Sequence, residues 1–203
     1  MSGTNALLAE VRRQLYPELF QQGFRGSGLT LRRVAGELIH VVSIQGGSSG
    51  EGSYVNLGAH LAFLPRGGLV HGEPARLTKY ECAFRTRVNP EPHFHLAWPY
   101  GGSPAEAARN VSLLCEAFRA RAPQFFGQFA SYPASFSNVT PSSLETAPRP
   151  HFLASGSPLV WAQIALHLGN ADTARAFAKI ALTKCSPAAS AYRDACEQVL
   201  AAT

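Results

Sequence analysis

Lysine is scarce in this sequence. Lys79, Lys179 and Lys184 are the only three, so the formal charge of +5 and the pI near 9.3 rest on arginine. Arginine favours planar contacts with carboxylates and phosphates. A modest positive balance permits an acidic partner or nucleic acid without requiring either. The shortage of lysine and the absence of a recognised nucleic-acid motif weigh against the second, which stays open. No apolar run approaches the ~20 residues that a membrane-spanning helix needs. The opening MSGTNALLAEVRRQ has neither an apolar stretch nor a cleavage site of the secretory kind. Cys82, Cys115, Cys185 and Cys196 show no CxxC spacing and sit singly in segments that read as strand or helix. That disfavours a four-cysteine zinc site and predicts free thiols in a reducing cytoplasm.

Signatures of catalysis are missing too. No GxGxxG opens a helix after a strand, and no HExxH occurs. The glycine-rich stretch 46–52 is not followed by Gly-Lys-Ser/Thr, so it reads as a loose hairpin connection. Gly156-Ser157-Pro158 reads as a helix cap, not as a nucleophile elbow. The cysteines lie at apolar positions that predict buried, inert thiols. No cofactor is implied. With 46% hydrophobic and 15% charged residues, the chain is nevertheless rich enough for a packed core.

What is present organises itself around residues 23–64, which read as three antiparallel strands. Before them, Leu7, Val11, Leu15 and Leu19 form one apolar helical stripe behind a cap at Thr4 or Asn5. Pro17 should kink or restart this helix, and Gly23-Phe24 should end it in a Schellman turn. Residues 29–34 and 37–45 predict a hairpin around Ala35-Gly36. Residues 54–64 alternate, with Val55, Leu57, Ala59, Leu61 and Phe63 on one face and Tyr54, Asn56, Gly58 and His60 on the other. Residues 80–88 read as a fourth strand, with Cys82, Phe84 and Val88 on its apolar side and Glu81, Arg85 and Arg87 opposite.

Ser103-Pro104-Ala105-Glu106 is a capping box with proline at the first helical position, and Pro123 should close the helix it opens. Residues 131–157 are rich in Ser, Pro and Ala without period and predict a long surface connection. Ser157-Pro158 and Ser186-Pro187 should start helices, and Gly169 should end one. Ala174, Phe177, Ala178 and Ala181 face inward on the helix between. The expected organisation is an α+β domain over residues 1–130, a connection over 131–157, and C-terminal helices over 158–203 packed on the same domain. The sheet is antiparallel with about four strands, and the extension is a helical hairpin or three helices.

If the strands pair as the hairpins suggest, Gln45, Tyr54, Asn56, His60, Arg85 and Arg87 share one side of the sheet. Two arginines beside an amide, an imidazole and a phenol suit a carboxylate, a phosphate or an acidic side chain. The bland alternative is a solvated face whose arginines pair with Glu81 or Glu37. His93-Phe94-His95 is the one metal-like feature: in an extended segment both imidazoles lie on one face, with a third ligand available from Glu91, His60 or His71.

The helix ending in Gly23-Phe24, the strand with Arg32-Arg33, the strand ending at Gln45, Val55-Asn56-Leu57-Gly58 and Arg85-Thr86-Arg87 together resemble a bacterial family of domains of unknown function. The similarity covers roughly the first 125 residues. Leu31 stands where the family usually has an aromatic residue, and Gly46-Gly47 stands where a polar or basic pair is common. The resemblance implies the fold but carries no established activity. Small bacterial immunity proteins, which silence a toxin, are similar in size and style.

Function is therefore read as a non-enzymatic binding module that engages a protein partner or an acidic ligand, with an immunity-type role as one form. The alternative is a hydrolase, metal-assisted through His93 and His95, and nucleic-acid binding is a third. A cytoplasmic location without membrane attachment is expected.

Overall fold

The fold was read from a computed structural model that describes residues 3–47, 52–66, 73–90, 97–142 and 157–203. Helix α1 (Gly3–Gln14) begins before Thr4 and Asn5, which therefore lie in its first turn and do not precede it. The chain breaks at Leu15 and resumes as α2 (Tyr16–Gln21), with Pro17 in the first turn, where a missing N–H costs no helical hydrogen bond. Leu7, Val11, Leu15 and Leu19 remain one stripe and are fully buried. Gly23 (φ +86°) then takes the left-handed conformation. Phe24 N–H donates to Leu19 O at 3.0 Å and Gly23 N–H donates to Phe20 O at 3.1 Å, the paired bonds of a Schellman turn.

The sheet comprises β1 (Thr30–Ala35), β2 (Leu38–Gly46), β3 (Gly52–Leu61), β4 (Phe84–Val88) and the two-residue β5 (Trp98–Pro99). The first four pair antiparallel in chain order, and β5 joins the start of β3. The short fifth strand was not expected. Ala35 pairs with Leu38, leaving Gly36-Glu37 as the loop, and only Gly36 has a positive φ, as a type II′ hairpin requires.

Helix α3 (Pro104–Gln128) packs against α1 and against β3 and β4. Glu106 N–H donates to Ser103 Oγ, while the Glu106 carboxylate reaches back to Gly102 N–H at 2.6 Å. Pro123 does not end this helix. It lies exposed within it, and the buried Phe125 and Phe126 beyond it anchor the last turn strongly enough to offset one missing backbone bond. Helices α4 (Pro158–His167), α5 (Ala171–Lys184) and α6 (Ser190–Ala201) complete the chain. Ser157 Oγ caps α4, and a second Schellman turn at Gly169 hands over to α5, whose Asn170 cap accepts from Thr173 N–H. Ser186-Pro187 forms a turn instead of a helix start, so α6 begins at Ser190.

Phe84 sits where these layers meet. Its ring lies 4.5 Å from Phe129 and 5.2 Å from Trp161, joining sheet, α3 and α4 in one buried cluster. Cys82 does not share the face of Phe84 and Val88. The strand starts only at Phe84, and Cys82 belongs to a small second cluster with Ile39, Val41 and Leu77 on the opposite face of the sheet. No helix among the described residues is long and apolar enough to cross a membrane.

Candidate functional site

Strand register decides which side chains meet. Gln45 pairs with Tyr54, Ser43 with Asn56, Val41 with Gly58 and Ile39 with His60 across β2 and β3. Asn56 then pairs with Arg87 and Gly58 with Arg85 across β3 and β4. Because side chains alternate along a strand, Gln45, Tyr54, Asn56, His60, Arg85 and Arg87 all lie on the face turned away from the aromatic core.

That face is only half wet. The segment from Glu73 to Ala83, which includes one 3₁₀ turn (Pro74–Arg76), runs over it and buries Leu77 and Cys82 against Ile39 and Val41. Arg32 Nε holds this segment by donating to Leu77 O at 2.7 Å. Gly58 permits the approach: a Cβ there would lie 2.5 Å from Cys82 Sγ. Gly58→Val should therefore cost about 1–3 kcal/mol in chemical denaturation, and Cys82→Ala in the same chain should recover part of that loss.

The covering segment delivers Lys79, a residue that pattern reading left in a loose stretch. Its ammonium donates to Gln45 Oε1 and stands 4.5 Å over the Tyr80 ring. Arg87 Nε donates to Asn56 Oδ1 at 3.2 Å while its guanidinium covers Tyr54 at 4.4 Å. Asn56 in turn donates to the carbonyls of Ser43 and Tyr54. Arg85 donates to Tyr80 O at 3.2 Å. Lys79 is brought down to about 8, first by burial and then by the charges of Arg87 and Arg85. Among the described residues no carboxylate acts on it. The nearby Glu81 is held by Thr78 N–H, Thr78 Oγ1 and Arg66, which keep its carboxyl below the usual range. Three cations therefore converge on a floor of amide and phenol groups.

His60 stands apart from this cluster. It is only 2% exposed, its Nδ1 accepts from Ala83 N–H at 3.2 Å, and its Nε2–H donates to Leu64 O at 3.2 Å. It pins the covering segment and has no ring nitrogen left for a ligand. His93 and His95, with Glu91 and His71, lie outside the described residues. Among the described residues no group of three or more His, Cys, Asp or Glu is placed to hold a metal ion. Cys82, Cys115 and Cys196 are buried, and burial drives their thiols up to about 12, 11 and 11. Cys185 is half-exposed, so the expectation of uniformly buried thiols holds for three of the four.

A second polar pair lies on the core side. Arg33 donates to His40 Nδ1 at 2.7 Å, and His40 Nε2–H donates to Phe129 O at 2.9 Å. The guanidinium of Arg33 stacks on Phe24 and Phe126. Arg33 and His40 interrupt otherwise apolar core-facing positions of β1 and β2, and that interruption is the sequence signal that was available for them.

No curated protein and no solved structure matches this chain. Residues 15–128, more than half of it, match the family model described as a domain of unknown function, DUF4304. This span takes in α2, the whole sheet, the Lys79–Arg87 cluster and α3, so the chain belongs to the DUF4304 family.

Proposed function

We propose that this protein is a binding module whose outer sheet face, between β2 and β4, receives an anionic group from a protein partner or acidic ligand. One observation carries the reading: Lys79, Arg85 and Arg87 gather around Gln45, Tyr54 and Asn56, and Lys79 is brought down first by burial and then by the charges of the two arginines. Holding like charges together costs free energy that a bound anion would return. Arg87 is preorganised by Asn56 and Tyr54, so little side-chain freedom is lost on binding. An acidic protein is the partner class that the charge of +5 favours, and an immunity-type role is one form of it.

A fluorescent oligoglutamate peptide and inorganic phosphate, titrated separately, test this reading. Saturable binding of the peptide is expected, weakening with salt. Arg85→Ala and Arg87→Ala should each lower affinity about tenfold, equivalent to ~1.4 kcal/mol. Equal binding by wild type and both variants would remove this face as the site. A phosphate response with no peptide response would move the ligand class to phosphoryl groups.

A further inference from the structure

A cleft lies on the helix side of the sheet, away from the charged outer face, between the end of α2, strand β1 and the second half of α3. Its volume is about 390 Å³. That is toward the small end of the ~300–1,000 Å³ typical of ligand pockets. Phe118, Ala122 and Phe126, otherwise buried, give it an apolar floor, with the exposed Pro123 beside them. Gln22, Arg33 and Arg119 supply the polar part of the lining.

The two arginines differ in how their charge is met. Arg119 is paired, with Nε donating to Glu18 Oε2 at 3.1 Å and Nη2 donating to Glu18 Oε1. Arg33 has only neutral partners. Its Nη1 donates to Gln22 O at 3.2 Å, and its Nη2 donates to Nδ1 of His40, which burial keeps uncharged at neutral pH. No carboxylate among the described residues acts on Arg33, and burial holds it below the ordinary arginine value. The charge stands at the cleft itself: Gln22, which it bonds, and Phe126, whose ring centre is 5.8 Å from the guanidinium carbon, both belong to the lining. Arg33 is half-buried, so solvent still reaches it. A guanidinium carries five N–H donors, of which these bonds use two, and its planar fork matches a carboxylate.

We propose that this cleft binds a small molecule with a compact apolar body and one carboxylate, the carboxylate on Arg33 and the body on Phe118, Ala122 and Phe126. One cation without a counter-charge calls for a monoanion, since the charge of Arg119 is already met by Glu18. The apolar floor rewards a body that a bare anion lacks. None of these residues belongs to the outer face, so this site stands or falls apart from the one proposed there.

Titration of ¹⁵N-labelled protein with 3-phenylpropionate provides the test. The amide resonances of Gln22, Arg33 and Phe126 should move together and saturate. The neutral isostere 3-phenylpropionamide, and acetate, which has the charge without the body, should each bind about tenfold more weakly or worse. Arg33→Met, which keeps an apolar stem over the two rings, should remove the preference for the acid over the amide. Arg119→Gln strips Glu18 of its counter-ion beside the cleft and should weaken phenylpropionate binding. Arg87→Ala, on the outer face, should leave it unchanged. The comparison of acid, amide and acetate on the wild-type chain decides the matter even if Arg33→Met fails to fold. Equal affinity for acid and amide would overturn the role of Arg33. Resonances near Arg33 that stay in place, or binding lost in Arg87→Ala, would overturn the site.

Discussion

Acidification from pH 7 to pH 5 should destabilise this protein by on the order of 2 kcal/mol for each of His40 and His60, rising to about 3 kcal/mol each by pH 4. Both imidazoles are buried, at 3% and 2% exposure, and both lie near 4, far below the ordinary histidine value. Burial is the main cause in each, with the charge of Arg33 adding at His40 and that of Arg66 at His60. The hydrogen bonds agree with this. At both residues Nε2–H donates to a carbonyl, while Nδ1 faces a donor, Arg33 in one case and Ala83 N–H in the other. A proton on Nδ1 would meet that donor head-on. The unfolded chain takes up these protons near 6.5 and the folded chain only near 4. Stability is therefore complete above 6.5 and is lost as pH falls through the window between the two values. Urea midpoints across pH 4–7 measure the effect, and histidine ring resonances assign it. Ring titrations near 6.5 in the folded protein would contradict it.

Phe84→Ala should cost about 3–5 kcal/mol, a large share of the ~5–15 kcal/mol that stabilises a typical domain. The side chain is fully buried and touches Phe129 and Phe136 as well as Trp161, so truncation leaves a cavity against three elements that cannot all close on it. Its position also predicts how the loss is shared. Trp98 reports the sheet and Trp161 reports α4, and one buried cluster contains both. Their fluorescence transitions should move together in denaturant, as for a single cooperative unit. Loss at Trp98 with Trp161 unchanged would show that the C-terminal helices fold apart from the sheet. Phe84→Leu, closer in volume, should lose less than half as much.

The legible parts of this fold were those where a local pattern has one physical solution. The stripe Leu7–Leu19, the Gly23 stop, the alternation along β3 and the Ser103 and Ser157 caps all follow from periodicity or from a backbone group that needs a partner. The shared face of Gln45, Tyr54, Asn56, His60, Arg85 and Arg87 was legible because strand parity fixes it once the hairpins are placed. Tertiary packing decided the rest. Pro123 reads as a helix stop, but two buried phenylalanines beyond it outweigh one missing bond. His60 reads as part of a binding face, yet a covering segment with a single 3₁₀ turn closes over it. The same segment brings in Lys79, whose place no spacing rule could give. That the buried Trp161 Nε1 lacks an acceptor has no sequence sign either, since it depends on how separate elements pack around it.

The most direct test of the anion site is the titration of the Lys79 ammonium by NMR, with and without saturating oligoglutamate. The chain has only two other lysines, Lys179 and Lys184, so assignment is simple. In the free protein the midpoint is expected near 8, because burial, Arg87 and Arg85 all disfavour the charge. A bound carboxylate supplies a counter-charge, so the midpoint should rise toward the ordinary lysine value and binding should weaken above pH 8. A midpoint near 10.5 in the free protein, or one near 8 that saturating peptide leaves unmoved, would contradict an anion seated among Lys79, Arg85 and Arg87.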